Sequence, residues 1–480
     1  VTVLYLLGGL WVLAMIVFIV SENRRPQSTF AWMFLLAFVP GLGLLVYFLF
    51  GREMRGLAGS RHLVHQDLEQ DLERALASLR AQHERALERL DREAPHQAGL
   101  VRLVNGTANA LVTVQNRLEL LQDAAETYPR LMADLKAARI SIHLQYYSWS
   151  SDELGQELKS ILLAKAAEGV EVRLLYDPLG SLLMLKRRYL REMRAGGVAM
   201  QPFSRLWRLH TISYRNHRKI AVIDGRVGYT GGLNIGHEHV DPGPEFHHRW
   251  RDTHLRLEGT TVGMLQAVFC VDWRNATDED LLSPAQFAPL PPEAAGAHLP
   301  VQVSLSGPDS DWAAIRQLYF AMIGAARRRV RIQSPFFILD DSLSEALSAA
   351  ALRGVDVQVM ISERGTGQIL PYWAANTYFA EVARAGVKVL LFRHGYLHAK
   401  TLGIDGEVCS VGSANMDIRS FSINYELNAV IYDPATAQAL EAAFDRDLAD
   451  CVPFDPEEYA RRSRLHRFRD SALRLLSPLY

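Results

Sequence analysis

HRKIAVIDG (217–225) and HAKTLGIDG (398–406) decide the fold. Each opens on His-x-Lys, runs through four mostly apolar residues and closes on Asp-Gly. Each is followed by a small-residue turn ending in asparagine: Gly231-Gly232-Leu233-Asn234 in the first, Gly412-Ser413-Ala414-Asn415 in the second. The two histidines are 181 residues apart, and so are the two asparagines. One constant offset across motif and turn marks a duplicated unit. The apolar, β-branched surroundings predict that both motifs lie on strands. Positions i and i+2 of a strand share a face, which sets His217 beside Lys219 and His398 beside Lys400.

Working outward, the duplication extends. ARISIHLQYY (138–147) matches RRVRIQSPFF (328–337) as an apolar strand ending in two aromatics. AAEGVEVRLLYD (166–177) matches AALRGVDVQVMIS (350–362), and RAGGVAMQPF (194–203) matches ARAGVKVLLF (383–392), each as a helix end, a glycine and a buried strand. Strands alternate with helices in both copies, so each is an α/β unit around a mostly buried sheet. The first half is placed at 116–283 and the second at 301–455, with the aperiodic, proline-rich stretch 284–300 linking them.

Ahead of the halves, residues 1–20 and 29–50 carry no charged side chain. Each is about as long as a helix needs to cross a bilayer core, so residues 1–50 are expected to form a two-helix transmembrane anchor. Arg24 and Arg25 lie in the turn, and Pro40-Gly41-Leu42-Gly43 could break the second run into a re-entrant segment. Residues 51–115 read as a charged helical linker. Within it, leucines near helical spacing over 64–92 form an amphipathic stripe that could pack on its own domain or support a homo-oligomer. Residues 456–480 are a basic tail. A net charge of −1 gives no global field for nucleic acid. Cys270, Cys409 and Cys451 are widely spaced, without the spacing of a zinc site or a disulfide framework.

The chemistry follows from the residue types. Among 52 Lys and Arg, only seven are lysines, yet both motifs use Lys; a compact ammonium differs from a planar guanidinium. Gly232, Ser413, Asn234 and Asn415 are candidates to hold an anion, since small-residue turns let the backbone approach one closely. Each histidine needs an orienting carboxylate, and Asp252 and Glu426 stand at similar distances downstream. No carboxylate cluster suggests a metal.

The paired motif resembles the signature of the phospholipase D superfamily. That resemblance implies two similar α-β-α halves related by a pseudo-dyad. It also implies a cofactor-free reaction in which one histidine attacks phosphorus while the other protonates the leaving oxygen, His217 and His398 taking these parts respectively. Lys219, Lys400 and the asparagines would hold the phosphate oxygens. Glu426 would pair with His217, and Asp252 with His398, across the dyad. Asp224 and Asp405 complete the motif, although a strand puts them on the face opposite the histidines. RRPQSTFAW (24–32), TGGLNIG (230–236), WRDTHLRLEG (250–259), LSGPD (305–309) and VGSANMDIRSF (411–421) look like bacterial cardiolipin synthases over nearly the whole chain. This closer resemblance implies transfer of a phosphatidyl group between two phosphatidylglycerols with release of glycerol. It also implies an enzyme of the bacterial inner membrane; the arginines at the turn and the exit of the anchor (Arg24, Arg25, Arg52, Arg55, Arg61) favour a cytoplasmic body, and the neutral charge predicts no nucleic-acid partner. The rival readings are a hydrolytic phospholipase D, a nuclease of the superfamily and an inactive membrane scaffold.

Overall fold

The computed structural model describes residues 2–22, 26–39, 41, 43–44, 47, 70–204, 213–241, 250–283, 286–287, 296–363 and 369–477. They fall into two compact units, Val1–His62 with Ser204–Tyr214, and Leu63–Phe203 with Arg215–Tyr480.

In the first unit, helices Thr2–Ser21 and Pro26–Phe38 pack through Ile19 and Leu36, with Tyr47 closing the contact. Leu10, Leu13, Val17, Phe18, Phe30, Phe34 and Phe38 face outward. Among the described residues no helix is long and apolar enough to cross a membrane. Side chains of the first helix are described only from Gly9 onward, and the second helix ends at Phe38 with Val39 in a bend. The apolar run 29–50 is therefore not one continuous described helix. Arg24, Arg25, Pro40, Arg52, Arg55, Arg61 and most of the 284–300 linker lie outside the described residues.

In the second unit each half builds the expected sheet. In the first half seven strands run in the order 116–122, 253–259, 227–231, 220–223, 141–146, 171–176, 199–202. The second half repeats this order as 301–306, 426–431, 408–412, 401–404, 329–334, 356–362, 388–392. It gains an edge strand at each end, Val112–Thr113 and Cys451–Pro453. Apolar side chains of both sheets meet in a shared core, with Ile220, Val222, Leu255 and Leu257 against Val411, Leu427, Ala429 and Ile431.

The ladders correct the register of the repeat by two residues. Ile142 faces Ile223, whereas Val330 faces Ile404. Gln145 therefore corresponds to Gln333, and the Tyr-Tyr and Phe-Phe pairs do not coincide. The chemistry agrees: Gln145 donates to Asp272 at 2.6 Å, and Gln333 donates to Asp447 at 2.9 Å.

The segment 79–113 is not a spacer. Ala86, Leu90, Ala98, Val101, Val104 and Val112 are buried in the core of the second half. His83 accepts from the Val112 N–H at 3.0 Å. The amphipathic stripe packs on its own domain, as burial of an apolar helix face requires. The basic tail also docks: Asp470 is fully buried, Arg469 lies over the Trp373 ring at 3.9 Å, and Arg474 pairs with Glu381 at 2.7 Å.

Candidate active site

The two motifs are built alike, but the His-x-Lys triplets lie outside the strands. Their strands begin only at Ile220 and Thr401. The reason is that the triplet backbones turn to the opposite half. His217 N–H donates to the Tyr425 carbonyl at 2.9 Å, and His398 N–H donates to the Arg251 carbonyl at 2.7 Å. Asn216 bridges Tyr425, and Tyr396–Leu397 pairs with Trp250–Arg251. Each histidine is thereby stitched beside the residue preceding the other half's carboxylate.

This stitching makes the pairs. His217 Nδ1 is 3.1 Å from Glu426 Oε2 and 3.0 Å from the Ser413 carbonyl. A carbonyl can only accept, so Nδ1 carries the proton and the lone pair is on Nε2. His398 Nδ1 is 2.7 Å from Asp252 Oδ2. Both carboxylates are fully buried. Burial pushes the Glu426 carboxyl up, but His217, Lys219 and the Ser413 hydroxyl outweigh it and hold it below the usual carboxylate range. Burial lowers the pKa of His217 against the pull of Glu426. For His398 burial acts together with the Lys400 and Lys219 charges and lowers it far more. Both imidazoles are therefore neutral near pH 7 when no substrate is bound.

The remaining predicted residues divide between the cavity and its backing. Lys219 and Lys400 are buried behind the histidines, each donating to the carbonyl of the histidine two residues earlier, Lys219 at 2.6 Å. Burial drops the Lys400 ammonium to about 8 and lowers Lys219 strongly. Gly232 and Ser413 do not line the anion site. A Cβ at Gly232 would stand 2.0 Å from Asp252 Oδ1, so glycine leaves room for that carboxylate. The Ser413 hydroxyl donates to Glu426 at 2.5 Å. Asn234 and Asn415 do line the cavity.

Asp224 and Asp405 belong to the architecture. With φ of 53° and 56°, each is followed by a glycine also at positive φ, the type I′ hairpin turn that Asp-Gly favours. The Asp224 carboxylate accepts the N–H groups of Arg139, Ile140 and Ser141, and Asp405 those of Arg327, Arg328 and Arg329, all within 3.1 Å. The strand rise separates each from its motif lysine by about 16 Å, far from the histidines. They hold the hairpin to the neighbouring strand.

Both histidines open onto one cavity of about 740 Å³. Its wall includes Tyr147 and Phe336, whereas Tyr146, Trp149, Phe337 and Leu397 are core residues. Arg215, Arg419, Asp417, Asn424 and His239 also line it, and the motif pattern does not find them. Arg215 stands two residues before a motif histidine and Arg419 four after a motif asparagine, which is the available signal. His239, in GHEHV (236–240), is buried, and burial lowers its pKa strongly.

A family profile described as "Cardiolipin synthase, PLD-like domain" matches residues 131–256 and 319–448, one match in each half and together more than half of the chain. The chain belongs to the phospholipase D-like cardiolipin synthase family. A profile described as "Phospholipase_D-nuclease N-terminal" matches residues 9–52 of this family member. The major cardiolipin synthase ClsA of Bacillus subtilis is 37% identical over 479 residues, covering 98% of this chain and 97% of the relative. A cardiolipin synthase of Geobacillus thermodenitrificans is 40% identical, covering 97% and 91%. Among solved structures, a phosphatidylserine synthase of Haemophilus influenzae superposes with a TM-score of 0.59 at 15% identity. It covers 80% of this chain and all of that one, a likeness of fold alone.

Proposed function

We propose that this chain makes cardiolipin by moving a phosphatidyl group from one phosphatidylglycerol to another, releasing glycerol. One observation carries the reading: two imidazoles, each backed by a buried carboxylate of the opposite half, open onto a single cavity. In the first step His217 Nε2 attacks phosphorus and the bond to the headgroup glycerol breaks. His398 gives its proton to the departing alkoxide. In the second step a hydroxyl of the second phosphatidylglycerol loses its proton to His398 as its oxygen attacks phosphorus. The P–N bond breaks and His217 is regenerated. The phosphodiester's negative charge raises the histidine pKa values on binding, so one imidazole can be protonated there. Asn234 and Asn415 reach the phosphate from the wall, while Lys219 and Lys400 supply positive charge from behind. Mapping a trapped phosphohistidine to His217 or His398 tests this assignment.

A lipid substrate is supported by the cavity mouth. Leu179 and Met184 from the first half line it and are exposed, and Ile369 and Leu370 answer them from the second. Apolar clusters on a rim suit acyl chains or a bilayer surface. Residues 1–50 serve as the anchor in the cell membrane. The outward apolar side chains of the first unit and the N-terminal profile support that reading. The halves 116–283 and 301–455 form the transferase body.

The test supplies phosphatidylglycerol in detergent micelles to purified full-length protein and identifies the products. Cardiolipin with one glycerol per cardiolipin supports the proposal. Phosphatidic acid with glycerol, and no cardiolipin, makes the protein a hydrolase instead.

A further inference from the structure

His239 is a third imidazole on the wall of this cavity, and the transfer reaction leaves it without a task. Its ring lies 5.7 Å from that of His398 and 4.4 Å from that of Trp250. Neither ring nitrogen has a hydrogen-bond partner among the described residues. Glu238 Oε1 stands 4.0 Å from Nε2, beyond hydrogen-bond reach. The side chain is 1% exposed. A buried polar group left unpaired is costly, so such groups are rare in folded proteins and call for an explanation. One ligand atom each from His239, Asp252 and His398 lies within 4.8 Å of the other two.

We propose that His239, His398 and Asp252 form a binding site for a divalent transition-metal ion of the zinc type, which shuts the transferase off. Two imidazoles and a carboxylate are a donor set such ions take, with a fourth position left to water or a substrate oxygen. Zinc ligands at about 2.0–2.1 Å lie roughly 3.4 Å apart in a tetrahedron. Drawing His239 inward by little more than an ångström therefore closes the set. Asp252 Oδ2 is 2.7 Å from His398 Nδ1, so the carboxylate and the ring need only part by under an ångström for both to ligate. The ion is an inhibitor here, not a cofactor. Metal on either nitrogen of His398 takes a lone pair, and the ring can no longer accept a proton and return it. Occupation also blocks the phosphate from that side of the cavity.

Inhibition rests on the proposed reaction, whereas binding does not, and two measurements keep them apart. The first titrates Zn²⁺ against a chromogenic chelator in the presence of full-length protein without lipid. One ion per chain is expected, with affinity at least about tenfold weaker in His239→Gln. His239→Cys, which restores a ligand, should recover it. The second follows product formation from phosphatidylglycerol at rising Zn²⁺. Turnover should fall at least about tenfold, return with EDTA, and require at least about tenfold more zinc in His239→Gln. His237→Gln, at a half-exposed imidazole outside the cavity wall, should inhibit like the unaltered protein. Equal zinc affinity in the unaltered protein and His239→Gln overturns the proposal, as does the absence of a bound ion. Binding at the predicted site without any turnover on phosphatidylglycerol sinks the reaction scheme and leaves the metal site standing.

Discussion

Replacing Glu426 by glutamine tests the composite site most directly, because it removes a charge while keeping the shape. Glu426 Oε2 lies 3.1 Å from His217 Nδ1. When the imidazole becomes cationic in the transition state, a carboxylate at that distance contributes about 5 kcal/mol at an effective dielectric constant of about 20. That corresponds to nearly four decades in rate. Two features of the site reduce the loss. The Ser413 carbonyl, 3.0 Å from the same nitrogen, still holds the tautomer, and the glutamine oxygen returns part of the interaction as a dipole. The expected result is a fall of about 10³-fold in kcat, with KM nearly unchanged because Glu426 does not line the cavity. Stability should fall, since the partners that hold the Glu426 carboxyl low outweigh its desolvation and lose a charge to act on; kcat is therefore taken on the folded fraction. The assay is cardiolipin formation from phosphatidylglycerol micelles by mass spectrometry, alongside a thermal melt. Turnover of the folded fraction above a third of the unaltered protein's would refute the cross-half pairing as a functional element.

Asp405→Ala should do the opposite. It strips an acceptor from three backbone N–H groups and places alanine at φ 56°. Stability should fall by about 3–4 kcal/mol in denaturant melts while kcat of the folded fraction stays within about threefold; a large loss of kcat at unchanged stability would return this aspartate to the chemistry. Gly232→Ala drives a methyl into Asp252. Displacing that carboxylate by about 1 Å should lower kcat about 10²-fold, and near-normal turnover would show that Asp252 does not hold His398. His143 and His254 are buried, and burial pushes each down to about 4. Between pH 6.5 and 4 the unfolded chain binds more protons than the folded one, so stability is full above about pH 6.5 and is lost as pH falls. Each histidine accounts for about 3 kcal/mol by pH 4. Denaturant midpoints from pH 7 to pH 5 should drop steeply, and less so in a His143→Gln, His254→Gln double variant. Identical slopes would refute the assignment.

The duplicated sheets were legible because periodicity and the constant offset report directly on buried strands. The cross-half carboxylates were reached only through the family resemblance: Glu426 and His217 are 209 residues apart, and no local pattern encodes that contact. The misplaced features share a cause. The His-x-Lys triplets look like strand because they run straight into the apolar strands 220–223 and 401–404, but their hydrogen bonds go to the other half, which periodicity cannot distinguish. The aromatic doublets suggested a register that the ladders shift by two, because residue similarity is weaker evidence than the pairing of Gln145 and Gln333 with equivalent aspartates. His239 escaped notice because its function, if it binds metal, depends on two residues from elsewhere in the chain.

The symmetry of the fold stops at the side chains, and that is where a division of labour between the histidines can arise. His217 is held by two acceptors, a carbonyl and a glutamate that itself takes a serine hydroxyl. Its ring orientation and tautomer are over-determined, as suits a group that must present one nitrogen to phosphorus twice per cycle. His398 has one carboxylate contact and a third imidazole beside it. Burial raises the pKa of Asp252, countered by Lys400, whereas Glu426 is lowered. An imidazolium at His398 is therefore less strongly stabilised by its carboxylate than one at His217 and releases its Nε2 proton more readily, which suits a group that gives and takes a proton. This argument from hydrogen bonding favours His217 as nucleophile. If the trapped phosphate is found on His398, tautomer control does not set the roles.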